Sequence, residues 1–268
     1  MELTPENKSH LINEINKQTN NHPLFYLKFC REAKFAQDVC EGNLFGNTAA
    51  YFRQREIECG ERGQGDRFET ILHIKTENIT VVDRETGQIV LTAPKGTLSV
   101  QFGVDEIIPI VSFVGIPLEE MNITEADETH TSFMLPFTEE EYASMQEKFG
   151  EFCAIISGTE LERRIRDYCN LNGYDYIFER VQYCTPNRVE RMEAFKTGSK
   201  ERFLYKNADL SYQREYRLVL AIEIPEDHFI RIGKLASAAC VESKKLKDMI
   251  FTVNYKSVSE SNLGAREI

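Results

Sequence analysis

The stretch LSYQREYRLVL, Leu210 to Leu220, sets a block of charge directly ahead of an apolar run. In an extended strand successive side chains alternate between faces. Gln213, Glu215 and Arg217 then share one face, while Tyr212, Arg214 and Tyr216 share the other. The first face gathers an amide, a carboxylate and a guanidinium. Such a trio can accept hydroxyl protons, hydrogen-bond in both senses and pair with phosphate. The alternative is a Glu215–Arg217 ion pair on an edge strand, an arrangement that contributes little. The apolar residues onward to Ile224 read as a strand.

The flanking sequence alternates short strands with helices. Leu24 to Phe29 is bulky and aromatic, and Arg31 to Glu41 sets Phe35, Val39 and Cys40 on one helical stripe that Gly42 stops. Asn43 to Asn47 suits a short strand, and Thr48 can cap a helix carrying Tyr51, Phe52 and Arg53. The glycines of Gly60 to Asp66 break regular structure. From Phe68 to Phe102 the short runs ILHIK, ITVV, QIVLTA and TLSVQF, with DRETG between two of them, predict a β meander. Ile107 to Ile116 and Cys153 to Gly158 read as buried strands. Thr138 with Glu141, and Thr159 with Glu162, have capping-box spacing ahead of helices. A strand near Tyr176 to Tyr183, a helix over Asn187 to Phe195 and a C-terminal helix-to-strand finish complete the pattern. This irregular order predicts an α+β fold with a mixed, largely antiparallel sheet and flanking helices. Residues 1–22 form a polar N-terminal segment, and residues 23–268 are expected to form a single α+β domain.

Composition narrows the class. The chain has 268 residues, 41% hydrophobic and 28% charged, as in ordinary globular proteins. Its net charge of -11 works against nonspecific adhesion to nucleic acid or anionic membrane. The N-terminus lacks a secretory pattern and the longest apolar run is too short to span a bilayer, so a cytoplasmic protein without a membrane partner is expected. The seven cysteines are odd in number and scattered, which predicts reduced thiols in the core. Neither HExxH nor a Cys/His cluster occurs, so no structural metal is expected.

Further charges are candidates for a site. Lys28 interrupts the apolar FYLKF, and an unpaired buried ammonium is costly, so it must reach solvent or a carboxylate. Arg53 follows an aromatic pair, and Asp66 and Glu69 flank Phe68 as candidate ligands for a divalent cation. With Glu215 they could chelate magnesium for phosphodiester hydrolysis.

The ordered segments FYLKF (25–29), EGNLFGNTAAYFRQRE (41–56), GDRFE (65–69), FLYKN (203–207) and YQREYRLVL (212–220) resemble a group of uncharacterised bacterial and phage-associated proteins. More remotely, the order is similar to the ADP-ribosyltransferase superfamily, through the literal QxE of Gln213 and Glu215. That resemblance implies NAD as cofactor, with Glu215 holding the nicotinamide ribose and stabilising the charge that develops as the glycosidic bond breaks. Gln213 would orient the acceptor. Lys28 or Arg31 would contact cofactor phosphate or ribose, and Asn47 with Thr48 would take the place of a central Ser-Thr-Ser. Apart from the resemblance, Arg53, Tyr212 and Arg217 are candidate substrate-binding residues by their own chemistry. The phage association implies an effector of a bacterial defence or toxin system with a protein partner from the same operon. The competing expectations are a metal-dependent nucleic-acid processing enzyme and a noncatalytic partner-binding or sensor module. If Glu215 is a surface site residue, Glu215→Gln should remove activity and shift stability by no more than about 1 kcal/mol.

Overall fold

The computed structural model describes residues 9, 12–13, 15–17, 22–60, 66–127 and 129–254. The glycine-broken loop expected after Gly60 and most of the polar N-terminal segment lie outside the described residues. The chain forms two compact units. The first draws on described residues up to Cys40, on Gly115–Arg163 and on the chain from Leu235; the second consists of Glu41–Val114 and Arg164–Lys234. Both units mix helices with largely antiparallel sheet, which makes the protein α+β.

In the first unit, strand Phe152–Ser157 lies between Phe25–Cys30 and Ala238–Glu242, antiparallel to both. Both faces are covered here, since the neighbours Tyr26 and Leu27, and Cys153 and Ala154, are buried together with Ile156. The helix Ala33–Cys40 follows; it buries Val39 as expected, but Ala36 takes the inward position expected of Phe35, which is 46% exposed. A second sheet runs Phe251–Asn254, His130–Met134, Asn122–Ala126. Helix Glu139–Phe149 opens on the anticipated capping box: Glu141 N donates to Thr138 Oγ1 at 3.1 Å and Thr138 N to Glu141 Oε2 at 3.0 Å. Gly150 ends it at φ 126, where a Cβ would stand 2.2 Å from the Cys30 carbonyl oxygen. No capping box forms at Thr159, because the helix Gly158–Asn172 has already begun at Gly158.

In the second unit, strand Glu215–Leu220 is buried at every position between Ile110–Gly115 and Tyr176–Arg180, antiparallel to both. It ends at Leu220, short of Ile224. Gln182–Cys184 pairs in parallel with Tyr205–Asn207, and Asn43–Phe45 pairs with Phe229–Arg231. Helix Ala49–Cys59 starts on Thr48, whose hydroxyl accepts from Tyr51 N at 3.3 Å, and helix Val189–Thr197 lies further along the chain. The expected four-run meander is instead one long hairpin, Leu72–Val82 with Ile89–Val100. It passes through Asn78 at φ 58, and Ile79 lies where a Gly96 side chain would be. Polar Asn78, Pro94 and Gly96 read as strand breaks in sequence, whereas the antiparallel ladder continues past them.

Cys30, Cys153, Cys169 and Cys184 are free and buried, as their scatter predicts. Burial pushes the Cys30 thiol up to about 11, against the opposing charge of Lys28.

Candidate functional site

The charged residues of the opening stretch do converge, but not as one strand face. Ala208–Gln213 is a 3-10 turn, and Arg214 takes the left-handed conformation (φ 43, ψ 43) that joins it to the strand. Left-handed backbone is uncommon for a residue with a side chain. The kink sets Gln213 and Glu215 together around one ammonium: Lys206 Nζ donates to Gln213 Oε1 at 3.0 Å and to Glu215 Oε2 at 2.7 Å.

Glu215 lies at the buried end of the strand, 4% exposed. Its Oε1 accepts from Ser112 Oγ at 2.5 Å and from Arg217 Nε at 2.9 Å, and Arg217 Nη2 stands 2.8 Å away. Its backbone N–H donates to the Tyr183 hydroxyl at 2.9 Å. Arg217 is the largest of the fully buried side chains, and its remaining donors are spent on Glu69 and on a carbonyl. Nη1 reaches Glu69 Oε1 at 2.6 Å and the Phe203 carbonyl at 2.5 Å, and Nη2 reaches Glu69 Oε2 at 3.3 Å. A guanidinium has five N–H donors, and all of them are engaged here.

Burial would push the Glu215 pKa up, but the charges of Arg217 and Lys206 and the bonds from Lys206 and Ser112 outweigh it and hold the carboxyl well below its ordinary range. At Glu69 burial wins over the same two cations, and the pKa is raised. The two carboxylates of one network are therefore pushed in opposite directions. Burial also raises the Tyr183 phenol.

Arg53 belongs to the same constellation. Its Nη1 donates to the Glu69 carbonyl at 2.8 Å and to Thr70 Oγ1 at 3.4 Å, while Nη2 pairs with Glu106. Glu69 is thus gripped by Arg53 at its backbone and by Arg217 at its carboxylate. Asp66 is buried and shapes the turn, its Oδ1 accepting from Phe68 N at 2.9 Å and its carbonyl from Glu69 N at 2.8 Å. Asn47 is buried and exchanges backbone bonds with Ile110 at 3.1 and 2.8 Å. Tyr212 receives the Gln213 side-chain N–H at 3.4 Å. Lys28, half-buried in the Phe25–Cys30 strand, and exposed Arg31 belong to the first unit. Among the described residues, the group with three side chains spaced for a cation is Glu125, Asp127 and His130, and it includes neither Asp66 nor Glu69.

Sequence reasoning missed Lys206, Ser112 and Tyr183. Lys206 stood in the quoted FLYKN stretch, and Ser112 carries the hydroxyl inside the apolar run 107–116. It also missed a second buried pair, in which Arg202 Nε and Nη2 grip Asp105 at 2.9 and 2.5 Å while the guanidinium lies 4.9 Å from the Phe102 ring centre and 4.7 Å from that of Phe203.

Chemically, every acceptor of Glu215 meets a cation or a hydroxyl, so the carboxylate is held ionised and fully hydrogen-bonded. Such a network specifies the packing of the strand around it. Among the described residues, no helix is long and apolar enough to cross a membrane. No protein-family model, no curated protein and no solved structure matches the chain.

Proposed function

We propose that the chain is a noncatalytic partner-binding module in which the Glu215 network is a structural clamp and the long hairpin is the surface offered to a partner. The observation that carries this reading is the state of the hairpin. Its two strands pair with each other as a separate two-stranded sheet, and Val81, Val82, Ile89, Val90 and Leu91 near its turn are each 44% to 68% exposed. A two-stranded ribbon is marginal by itself in water, and this one presents apolar side chains on both faces, since the Val81–Leu91 and Val82–Ile89 pairs point to opposite sides. The saturation of Glu215 supports the same reading, since a carboxylate committed to Lys206, Arg217 and Ser112 must break buried bonds before it can serve a substrate. The resemblance to phage-associated proteins fits a partner from a defence or toxin operon.

A second reading, an ADP-ribosyltransferase-like NAD-processing effector, is favoured by the depressed pKa of Glu215 next to Gln213. A carboxylate held ionised is what stabilisation of a developing positive charge needs. NAD would then be the cofactor, with Asn47 in the role the resemblance implies. Magnesium chelation by Asp66, Glu69 and Glu215 has less support, because the oxygens of Glu69 and Glu215 are taken by Arg217 and Lys206.

The purified chain is assayed for NAD cleavage without added metal and for EDTA-sensitive nicking of DNA and RNA. Neither activity is expected. NAD cleavage that disappears in a folded Glu215→Gln variant would replace the binding reading with the transferase.

A further inference from the structure

We infer that Arg191 is the centre of a binding site for a small phosphate-type oxyanion, an inference that does not depend on what the hairpin binds. Arg191 lies in helix Val189–Thr197 and is 2% exposed. Its Nη2 donates to the Ile71 carbonyl at 3.2 Å, whereas Nε and Nη1 are shielded from solvent and have no hydrogen-bond partner. A guanidinium carries five N–H donors and keeps its charge at any working pH. Nε holds one of those donors and Nη1 two, so three N–H groups of a permanent cation are left over in the interior. Leaving a buried charge unpaired is among the costliest arrangements a fold can contain.

The other buried cations show how this chain treats such a charge. Arg202 Nε meets Asp105 Oδ2 at 2.9 Å, Lys206 Nζ meets Glu215 Oε2 at 2.7 Å and Arg217 Nη1 meets Glu69 Oε1 at 2.6 Å. Among the described residues, no carboxylate pairs with Arg191, and those of the two segments it joins are committed elsewhere. On its own helix Glu190 accepts from Arg188 Nε at 2.9 Å, and Glu193 pairs with Lys196 at 3.3 Å. In the turn that leads to Ile71, Glu69 is held by Arg217, and Asp66 Oδ1 accepts from Phe68 N at 2.9 Å. A chain with a net charge of -11 has carboxylates to spare, yet among the described residues none is set against this guanidinium. Its counter-charge is then external.

A strained turn fixes where the guanidinium sits. Thr70 is buried at φ 52, a conformation rare for a β-branched residue. Arg53 bonds the Glu69 carbonyl and the Thr70 hydroxyl on one side of it, and Arg191 bonds the Ile71 carbonyl on the other. One nitrogen of Arg191 thus serves the fold, and the other two carry the donors for a ligand. Three N–H groups on two nitrogens suit a compact anion rich in acceptor oxygens, and phosphate offers four oxygens where a carboxylate offers two. Because those nitrogens are shielded, the ion is a small one. Entry requires the first turn of the helix to open, and Arg188 at the N-cap gives that turn no side-chain hydrogen bond.

Thermal melts and isothermal titration calorimetry of the full chain with inorganic phosphate, at an ionic strength held constant with sodium chloride, test this. Phosphate should raise the wild-type midpoint, and calorimetry should saturate at one ion per chain. Arg191→Met should abolish both effects. Arg191→Lys keeps the charge but not the planar fork, so it should weaken phosphate by about tenfold or more, as loss of a charge-assisted hydrogen bond does. The lysine variant also serves if the methionine variant fails to fold. Lys200→Met, at an exposed cation paired with Asp175, should leave binding intact. Absence of saturable phosphate binding overturns the inference. So does a rise in midpoint that folded Arg191→Met retains, since ions excluded from the surface stabilise any fold. Acetate bound as tightly as phosphate overturns the choice of oxyanion, and adenosine monophosphate bound more tightly than phosphate overturns the restriction to a small ion.

Discussion

Arg217 is a buried cation with no spare donor, and its two carboxylate partners are not equivalent. The folded pKa of Glu215 is depressed, so its stabilising contribution is present above the unfolded value of 4.5 and is lost only as pH falls through the lower folded value. The folded pKa of Glu69 is raised, so its contribution is full below 4.5 and is lost as pH rises through the folded value. Removing one charge of a buried pair costs about 3–5 kcal/mol. Glu215→Gln strands part of both Lys206 and Arg217 and should destabilise by that amount at neutral pH, well beyond the surface-site value expected from sequence. Glu69→Gln keeps an acceptor for Arg217 and removes a carboxylate whose charge burial opposes, so it should cost about 1 kcal/mol, within the common range for single changes. Urea titrations across pH check both. The Glu215→Gln deficit should persist at neutral pH and down to 4.5, and the wild-type advantage over Glu69→Gln should shrink from acid toward neutral. Equal deficits at neutral pH would show that the network treats the two carboxylates alike.

At the scale of elements, what could be read from sequence was what is local. The Thr138 capping box and the Thr48 cap were legible because each depends on residues three positions apart. The convergence of Gln213, Glu215 and Arg217 was legible from strand period, yet its mechanism was not, since the left-handed turn at Arg214 replaces strand alternation at Gln213. Nor was burial legible, because it depends on Ser112 and Glu69, which lie more than a hundred positions away in sequence. Strands such as Asn122–Ala126 went unread because their polar residues mask the period, and their pairing is decided by His130–Met134 opposite. Glycine at position 150 is legible only as a helix stop, whereas the structure gives it two constraints, a φ of 126 and the Cys30 backbone 2.2 Å from any Cβ. The blocking atom is main chain and cannot rotate away. Gly150→Ala should therefore destabilise by more than the roughly 1–3 kcal/mol of backbone strain alone. A thermal melt checks this, and a midpoint within a degree of wild type would mean that the Glu139–Phe149 helix end shifts freely.

For the whole molecule, sequence showed no linker because the chain enters and leaves each compact unit more than once, so no single stretch separates them. Net charge, in contrast, is legible from composition. At -11 the chain repels itself, and packing it into a folded molecule brings the like charges closer together. Two effects on folding then respond to salt in opposite senses. Repulsion between the excess carboxylates is long-ranged and is cut back as the screening length falls from about 10 Å at 0.1 M salt to about 3 Å at 1 M. Exposed ion pairs such as Lys234 with Glu41 and Lys200 with Asp175 are screened as well, but such pairs contribute only about 0–1 kcal/mol each. Loss of repulsion should therefore dominate, and the thermal midpoint should rise with sodium chloride. Melts at low and high salt measure it, and a midpoint that falls as salt rises would mean that the surface ion pairs outweigh the net charge.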